Sequence, residues 1–399
     1  MNVLISGVWA SNKGDRAIAA FLINKLLRIS KVDKIYVSAN DPELLKKYVP
    51  KCVTVVNMGY IFKNKLWRGY SKVVGFPKLI EAVNKDTKLN LYSIANKDYV
   101  KALGDSDLVI LTGGHHITTM RERDSLYSMT YELGLINRSK KKYILWSQTI
   151  GPLKFEKEKN KNYIVNLLEV ADRIYIRDDN SDKLLKNQFA GLTNVYHSFD
   201  SVFGIKTLMQ QEIGELTKDN AVGISIFYSN YKTRDEIENY AQVMAKLCRK
   251  IAEHGFEIRF FPMETSEDEL RIIKRIVEIS GAEDRVEIID TNTTTIEQLK
   301  AMGKCKFYVG HKTHSVIISL MLGIPLIALC YHEKTYDFMK LFGVQDYAVL
   351  DNNYNQKWFT EKFELLINNE LEIRKALNSR GIEISEKVNK DFEEVLTNG

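Results

Sequence analysis

Short apolar runs alternating with stretches of helical period predict an α/β protein with parallel sheets flanked by helices. Two further observations extend that reading. The alternation occurs twice along the chain, and 399 residues with 45% hydrophobic content are enough for two cores. The first half offers the strands "NVLISGV", "KIYVS", "VTVVN", "DLVILTGG", "YILWSQTI", "RIYIRD" and "NVYHS". "AVGISIF", "EIRFFPM", "VEIID", "KFYVG" and "PLIALC" repeat the theme in the second half. Between them "GIKTLMQQEIGELTKDN" interrupts the strand signal near residues 204–220. The expected organisation is therefore two Rossmann-like domains, 1–204 and 205–399, the second carrying a helical tail from about residue 356. Two such open sheets would face a central cleft. In sheets of this kind ligands bind beyond the carboxyl ends of the strands, so the residues after each strand are where function is sought.

Composition excludes several classes. Cys52, Cys248, Cys305 and Cys330 stand singly without a C-x-x-C spacing, so neither a disulfide framework nor a cysteine-rich zinc site is expected. The N-terminal "MNVLISGVWASNKGD" lacks the features of a secretory leader, and nowhere do about 18 apolar residues run together. A cytoplasmic protein is expected. Residues 60–101 hold eight lysines and Arg68 against Glu81, Asp86 and Asp98, an excess equal to the net +6 of the whole chain. Tyr60, Phe62, Trp67, Tyr70 and Phe76 are interleaved with those cations. This mixture reads either as a solvated basic face or as a peripheral contact with an anionic membrane at its inner face. Nucleic acid is not an expected partner, since no recognised binding motif accompanies the patch.

Several strand ends carry candidate chemistry. The loop "SNKGD" brings Asn12, Gly14 and Asp15 after the first strand, with Asp15 as expected N-cap of the helix that follows. It reads as a phosphate cradle or as a structural turn, and it matches neither common glycine-rich phosphate motif. Gly113 and Gly114 end "DLVILTGG", and Gln148 lies in "YILWSQTIGP". Paired glycines there mark a sharp exit or backbone packed near a ligand. His115 and His116 follow, but adjacent residues in an extended segment point to opposite faces, which argues against their sharing one metal ion. Arg177 precedes Asp178, Asp179 and Asn180, so it is either an anion clamp or the partner of neighbouring acids. Glu264 ends another strand and reads either as an acid or base in the cleft or as a carboxylate placed by helix-start electrostatics, and Ser266 with Glu269 reads as a capping box.

"GHKTHSVIISLMLGIP" holds His311 and His314 three apart, not the i, i+4 spacing of helical zinc motifs, and Lys312 would repel a divalent ion. Lysine, a helix start and an imidazole together suit an anion and proton transfer. No metal site is expected.

Taken in order, "NKGD", the paired glycines, "QTIGP", "IRD" with its downstream serine, Asp200, "GHKTHSVI" with "GIP", and Tyr331, Lys334 and Phe338 resemble the polysaccharide pyruvyl transferases, over roughly residues 3–343. The resemblance implies a two-domain glycosyltransferase-B-like architecture. It also implies transfer of pyruvate from phosphoenolpyruvate to two hydroxyls of a sugar, with a cyclic ketal and phosphate as products. The family's R-x-H motif falls on Lys312, Thr313 and His314, making His314 the implied acid/base. Arg177 falls on the family's strand-end arginine, implied to hold the donor's anionic groups, and Tyr331 with Lys334 on its Y-x-x-K. The partners implied are phosphoenolpyruvate as co-substrate, with no further cofactor, and a lipid-linked or nucleotide-linked sugar. Two departures stand out: lysine replaces arginine at 312, which keeps the charge but loses the bidentate fork, and His115 replaces a third glycine. The alternatives are a glycosyltransferase of the same architecture with a nucleotide-sugar donor, and a non-catalytic glycan or membrane-surface binding protein.

Overall fold

The computed structural model describes residues 1–60, 94–119, 125–155, 158–207, 216–228, 233–350 and 355–397, with Leu66, Gly69 and Tyr231. Most of the basic aromatic segment 60–101 lies outside them, and with it the expected membrane contact. Among the described residues no helix is long and apolar enough to cross a membrane.

Contacts divide the chain into two compact units, one of Met1–Ala10 with Asp15–Ser201 and the other of Ser11–Gly14 with Val202–Gly399. The first holds β1 (Asn2–Val8), β2 (Lys34–Ala39), β3 (Thr54–Asn57), β4 (Leu108–Leu111), β5 (Gly114–Ile117), β6 (Lys142–Ile150), β7 (Arg173–Ile176) and β8 (Val195–His197). Its sheet runs β3-β2-β1-β4-β6-β7-β8, with β5 paired to β6, and every pairing is parallel. The second unit holds β9 (Asp219–Ile224), β10 (Glu257–Phe260), β11 (Val286–Ile288), β12 (Cys305–Gly310), β13 (Leu326–Cys330) and β14 (Ala348–Leu350), in the order β11-β10-β9-β12-β13-β14, again all parallel.

In both sheets the first strand of the unit is central and the next two extend to one side, the remainder to the other. This is the doubly wound order, and it creates a switch point where the crossovers diverge, between β1 and β4 in one sheet and between β9 and β12 in the other. Parallel strands need helical crossovers that cover both faces, so the strands become continuous apolar runs. Val3, Leu4, Ile5 and Val8 of β1 are fully buried, as are Leu326–Cys330 of β13 almost without exposure. The helix Thr313–Met321, which follows β12, buries every residue from Ser315 onward.

The structure corrects some local expectations. "DLVILTGG" is not one strand: β4 stops at Leu111, and Gly114 opens β5. Asp15 lies within the first turn of the helix Lys13–Leu27. The capping acceptor is Asn12, whose Oδ1 accepts the Gly14 N–H at 2.8 Å. Ser266 does accept the Glu269 N–H at 3.1 Å, but the Glu269 carboxylate does not return to the cap residue. It accepts instead from Met263 and Glu264, so only half of a capping box forms.

The first unit buries a carboxyl group. Glu132 is fully enclosed and accepts from Ser6 of β1 and from Ser38 of β2, the latter at 3.4 Å. The Tyr99 hydroxyl joins Ser6 at 3.4 Å. Burial raises the Glu132 pKa, and the hydrogen bonds from Ser6, Tyr99, the Gly59 backbone and Ser38 offset part of that rise. A raised folded pKa means that folding takes up a proton. Stability is therefore greatest below the unfolded glutamate pKa of about 4.3 and falls as pH rises towards the folded value. Glu132→Gln removes this loss, so the stability of the variant relative to wild type should grow between pH 4 and pH 8 in denaturant titrations. A difference independent of pH would disprove ionisation of Glu132 as the cause.

Candidate functional site

The switch point of the second sheet is assembled from the carboxyl ends of β9, β10 and β12. Ser225, the residue after β9, donates its N–H to Val309 at 3.1 Å. Its Oγ accepts the His311 N–H at 3.1 Å and lies 2.5 Å from the Ser315 Oγ. The β9 exit thus fixes the turn that leads from β12 into the helix Thr313–Met321.

At that turn the two histidines part. His311 is buried, its Nδ1 hydrogen-bonded to the Tyr240 hydroxyl at 2.9 Å. Burial, and then the charge of Lys312, pull its pKa down to about 3. It is a neutral imidazole at physiological pH and a poor proton donor. Lys312 occupies the N-cap position, and its own side chain makes no cap hydrogen bond. The helix therefore begins with a cationic residue at its positive end. Lys312 Nζ pairs with Glu264 and lies 3.9 Å from Glu269 Oε1. Glu269, fully buried, has its pKa raised by desolvation and lowered in part by Lys312 and by the N–H groups of Glu264 and Met263.

His314 follows one residue into the helix, beside the loop Ser11–Gly14. A Cβ built on Gly14 would overlap the His314 ring, so glycine at 14 is the condition for the imidazole to lie where it does. The loop is held by its own bonds. Lys13 N–H donates to Met263 O at 3.1 Å, Lys13 Nζ reaches Thr293 Oγ1 at 3.1 Å, and Asn12 forms a bridge with Glu264. Thr313 Oγ1 donates to the Tyr331 hydroxyl at 3.2 Å and contacts Thr335 Oγ1 at 2.7 Å. Tyr331 also stacks on Phe227 with centroids 3.7 Å apart. Lys334 lies in the first turn of the helix Glu333–Leu341, whose cap is His332. Asn12, Gly14, Glu264, Lys312, His314 and Tyr331 thus form one connected group, with Lys334 two residues into the adjoining helix. Sequence reasoning passed over Ser225, Tyr240 and Phe227, and gave Glu269 only a capping role. The position of Ser225 directly after the central strand was the available signal.

The remaining candidates belong to the first unit and are tied into its interior. Gln148 Nε2 donates to Thr112 O at 2.6 Å and Trp146 O at 3.1 Å, tying β6 to the exit of β4. Gly113 packs on the Ser147 carbonyl, which a Cβ would approach to 2.7 Å, so the glycine serves backbone packing. Ser147 itself has a left-handed φ of 55°, and its Oγ donates to Phe199 O at 3.1 Å and accepts from the Ser201 N–H at 3.1 Å. A Cβ on Gly114 would overlap His116, while His115 is bonded to the Gly151 carbonyl. Arg177 pairs through Nη1 with Asp200, and its Nε donates to Thr149 Oγ1 at 3.0 Å. The two side chains of the pair are 2% and 0% exposed. The guanidinium faces a carboxylate of its own chain, and its acidic partner is Asp200, not the neighbouring Asp178 or Asp179.

Two outcomes follow from this geometry. Arg177→Ala should lower stability by about 3–5 kcal/mol in urea titration, because it strands a buried carboxylate. A loss under ~1 kcal/mol, the range of exposed pairs, would mean that the pair is dispensable to the fold. Gly14→Ala should displace the imidazole of His314 while sparing that of His311. In proton–nitrogen NMR spectra of the two rings, only the His314 resonances should move; movement of both would contradict the separation described.

Residues 12–333 match the family model of the polysaccharide pyruvyl transferases. The amylovoran biosynthesis protein AmsJ of Erwinia amylovora is 20% identical over 228 residues, covering 53% of this chain and 54% of that protein. The chain thus spans about half the length of this curated relative. Among solved structures, the UDP-GlcNAc 2-epimerase of Neisseria meningitidis bound to UDP-GlcNAc aligns over 100% of both chains with a TM-score of 0.60 at 13% identity. HepE of Anabaena in complex with UDP-glucose aligns over 100% of both with a TM-score of 0.57 at 15% identity. Such identities establish the fold alone, an α/β architecture of the GT-B-like kind. The match across residues 12–333 goes further: this chain belongs to the polysaccharide pyruvyl transferase family.

Proposed function

We propose that the chain transfers pyruvate from phosphoenolpyruvate to two hydroxyls of one sugar in a polysaccharide or glycolipid precursor, forming a cyclic ketal and releasing phosphate. The observation that carries this reading is the turn Lys312–Thr313–His314. A cation at a helix start, with an imidazole one residue beyond, lies at the sheet's switch point in a chain of this family.

In this scheme His314 delivers a proton to the methylene carbon of phosphoenolpyruvate. Positive character develops at the adjacent carbon, a sugar hydroxyl adds there, and its proton leaves. Departure of phosphate with its bonding electrons leaves that carbon electron-poor, and attack by the second hydroxyl, which gives up its proton, closes the ring. Lys312 and the N–H groups of the helix start bind the donor's carboxylate or phosphate. Glu264 now holds that lysine, but its side chain is 36% exposed against 12% for Lys312, so it is the partner free to swing aside for an incoming anion. His311 is left out of the chemistry by its low pKa and its bond to Tyr240. Arg177 serves by holding the β7 exit through Asp200, and Asn12 and Gly14 by seating His314. Phosphoenolpyruvate is the co-substrate, and the scheme calls on no further cofactor.

A second reading, glycosyl transfer from a nucleotide sugar, draws support from the UDP-sugar complexes of the structural neighbours. The two are separated by product. With lipid-linked or nucleotide-linked sugars as acceptors, phosphate release from phosphoenolpyruvate supports pyruvyl transfer, and UDP release from UDP-glucose supports the alternative. Lys312→Ala should weaken donor binding and lower phosphate release by about 100-fold or more, the loss typical of one preorganised charge-stabilising donor. His314→Ala should retain donor binding and lose turnover. Undiminished turnover in His314→Ala would remove it from the mechanism.

A further inference from the structure

Arg16 lies in the first turn of the helix Lys13–Leu27 and is only 4% exposed. Among the described residues, neither Nη1 nor Nη2 has a hydrogen-bond partner. Its companion is Tyr48, whose ring lies under the guanidinium carbon at 3.9 Å and whose buried hydroxyl likewise has no hydrogen-bond partner among the described residues. Desolvation lowers the Arg16 pKa, and the nearby Tyr48 hydroxyl offsets part of that effect.

A guanidinium stays protonated in proteins, so burial cannot be relieved by losing the charge. A cation–π stack compensates only in part, and a buried charge lacking hydrogen bonds is unfavourable. Three polar atoms at one buried spot, two of them arranged as a fork, suit an oxyanion with several oxygens. The location agrees: Arg16 follows β1, and Tyr48 follows β2 and the short helix Pro42–Leu45, so both lie beyond the carboxyl ends of adjacent strands.

We infer that Arg16 and Tyr48 form a binding site in the first unit for a phosphate or diphosphate group, the group that would join an acceptor sugar to its carrier. Assigning that group to an acceptor rests on the reading under Proposed function; the anion site stands on the geometry around Arg16. Nucleotide and polyprenyl carriers share the diphosphate, so the site by itself serves either.

The test is thermal denaturation of the full chain with sodium pyrophosphate, UDP and farnesyl diphosphate, for wild type, Arg16→Met, Tyr48→Phe and Lys312→Ala. At about 100 times Kd, pyrophosphate should raise the wild-type Tm by about 2–4 °C. The rise should persist in Lys312→Ala, which alters the other anion site, shrink in Tyr48→Phe, and vanish in Arg16→Met. Without ligand, Arg16→Met should melt at or above the wild-type temperature, since it removes a buried charge that the Tyr48 stack compensates only in part. A shift with UDP alone supports a nucleotide carrier, one with farnesyl diphosphate alone a lipid carrier, and shifts with all three recognition of the diphosphate itself. No shift with any ligand, or an equal shift in Arg16→Met, would overturn the site. A ligand-free Arg16→Met that melts several degrees lower would also overturn it, by marking the Tyr48 stack as structural. These readouts need no turnover, so failure of pyruvyl transfer and failure of this site would be seen separately.

Discussion

The second unit's site depends on one buried carboxylate. Glu269 accepts the N–H groups of Met263 at 3.2 Å and Glu264 at 2.7 Å, and it faces Lys312 at 3.9 Å. Those contacts fix the chain beyond β10 and leave the Glu264 side chain directed at Lys312. Met263, held by its N–H, presents its carbonyl to Lys13, which anchors the loop whose glycine accommodates His314. One desolvated acid therefore links the β10 exit, the β12 turn and the Ser11–Gly14 loop. Low local polarity makes each of these contacts stronger and would make the loss of any one more costly.

The strands were legible because parallel sheets covered on both faces must be apolar along their whole length, and such runs stand out. The two that escaped notice lack that signal. β5 reads Gly-His-His-Ile, with half-buried histidines at its centre, and β14 is only Ala348–Leu350. Capping was harder to read, because Ser266 followed by Glu269 has the spacing of a local box whichever partners Glu269 finally takes. Only the fold brings Lys312 to Glu269, and neither the capping pattern nor the spacing of charges reveals it. The Lys312–His314 turn was legible for the opposite reason: all its parts are contiguous. Arg177 shows the limit of local reasoning, since its carboxylate partner lies at Asp200, beyond two aspartates that follow it directly.

The structural neighbours and the family bear on different questions. A doubly wound sheet imposes a switch point and so says where a ligand binds, without saying which. That explains how full-length alignment can coexist with identities of 13% and 15%. Function resides in what the strand ends carry. Here the second unit combines Lys312, His314 and a helix start, whereas on β6 and at the end of β7 in the first unit Gln148, Ser147 and Arg177 are engaged in internal bonds.

Lysine at 312, where the family's motif has arginine, can then be weighed physically. A guanidinium could bond Glu264 and a substrate carboxylate at once, through different edges of its fork. An ammonium is a point charge, and an anion arriving at it competes more directly with Glu264 and with the field of Glu269. Burial raises the Glu269 pKa and Lys312 lowers it in part, so the two groups are electrostatically coupled. The helix start supplies donors that the missing fork cannot, so the lysine need provide attraction and not orientation. In the scheme proposed above, the backbone would set the direction of the anion and the lysine its affinity. Replacing Lys312 by arginine would then change which anion fits more than how tightly anions bind.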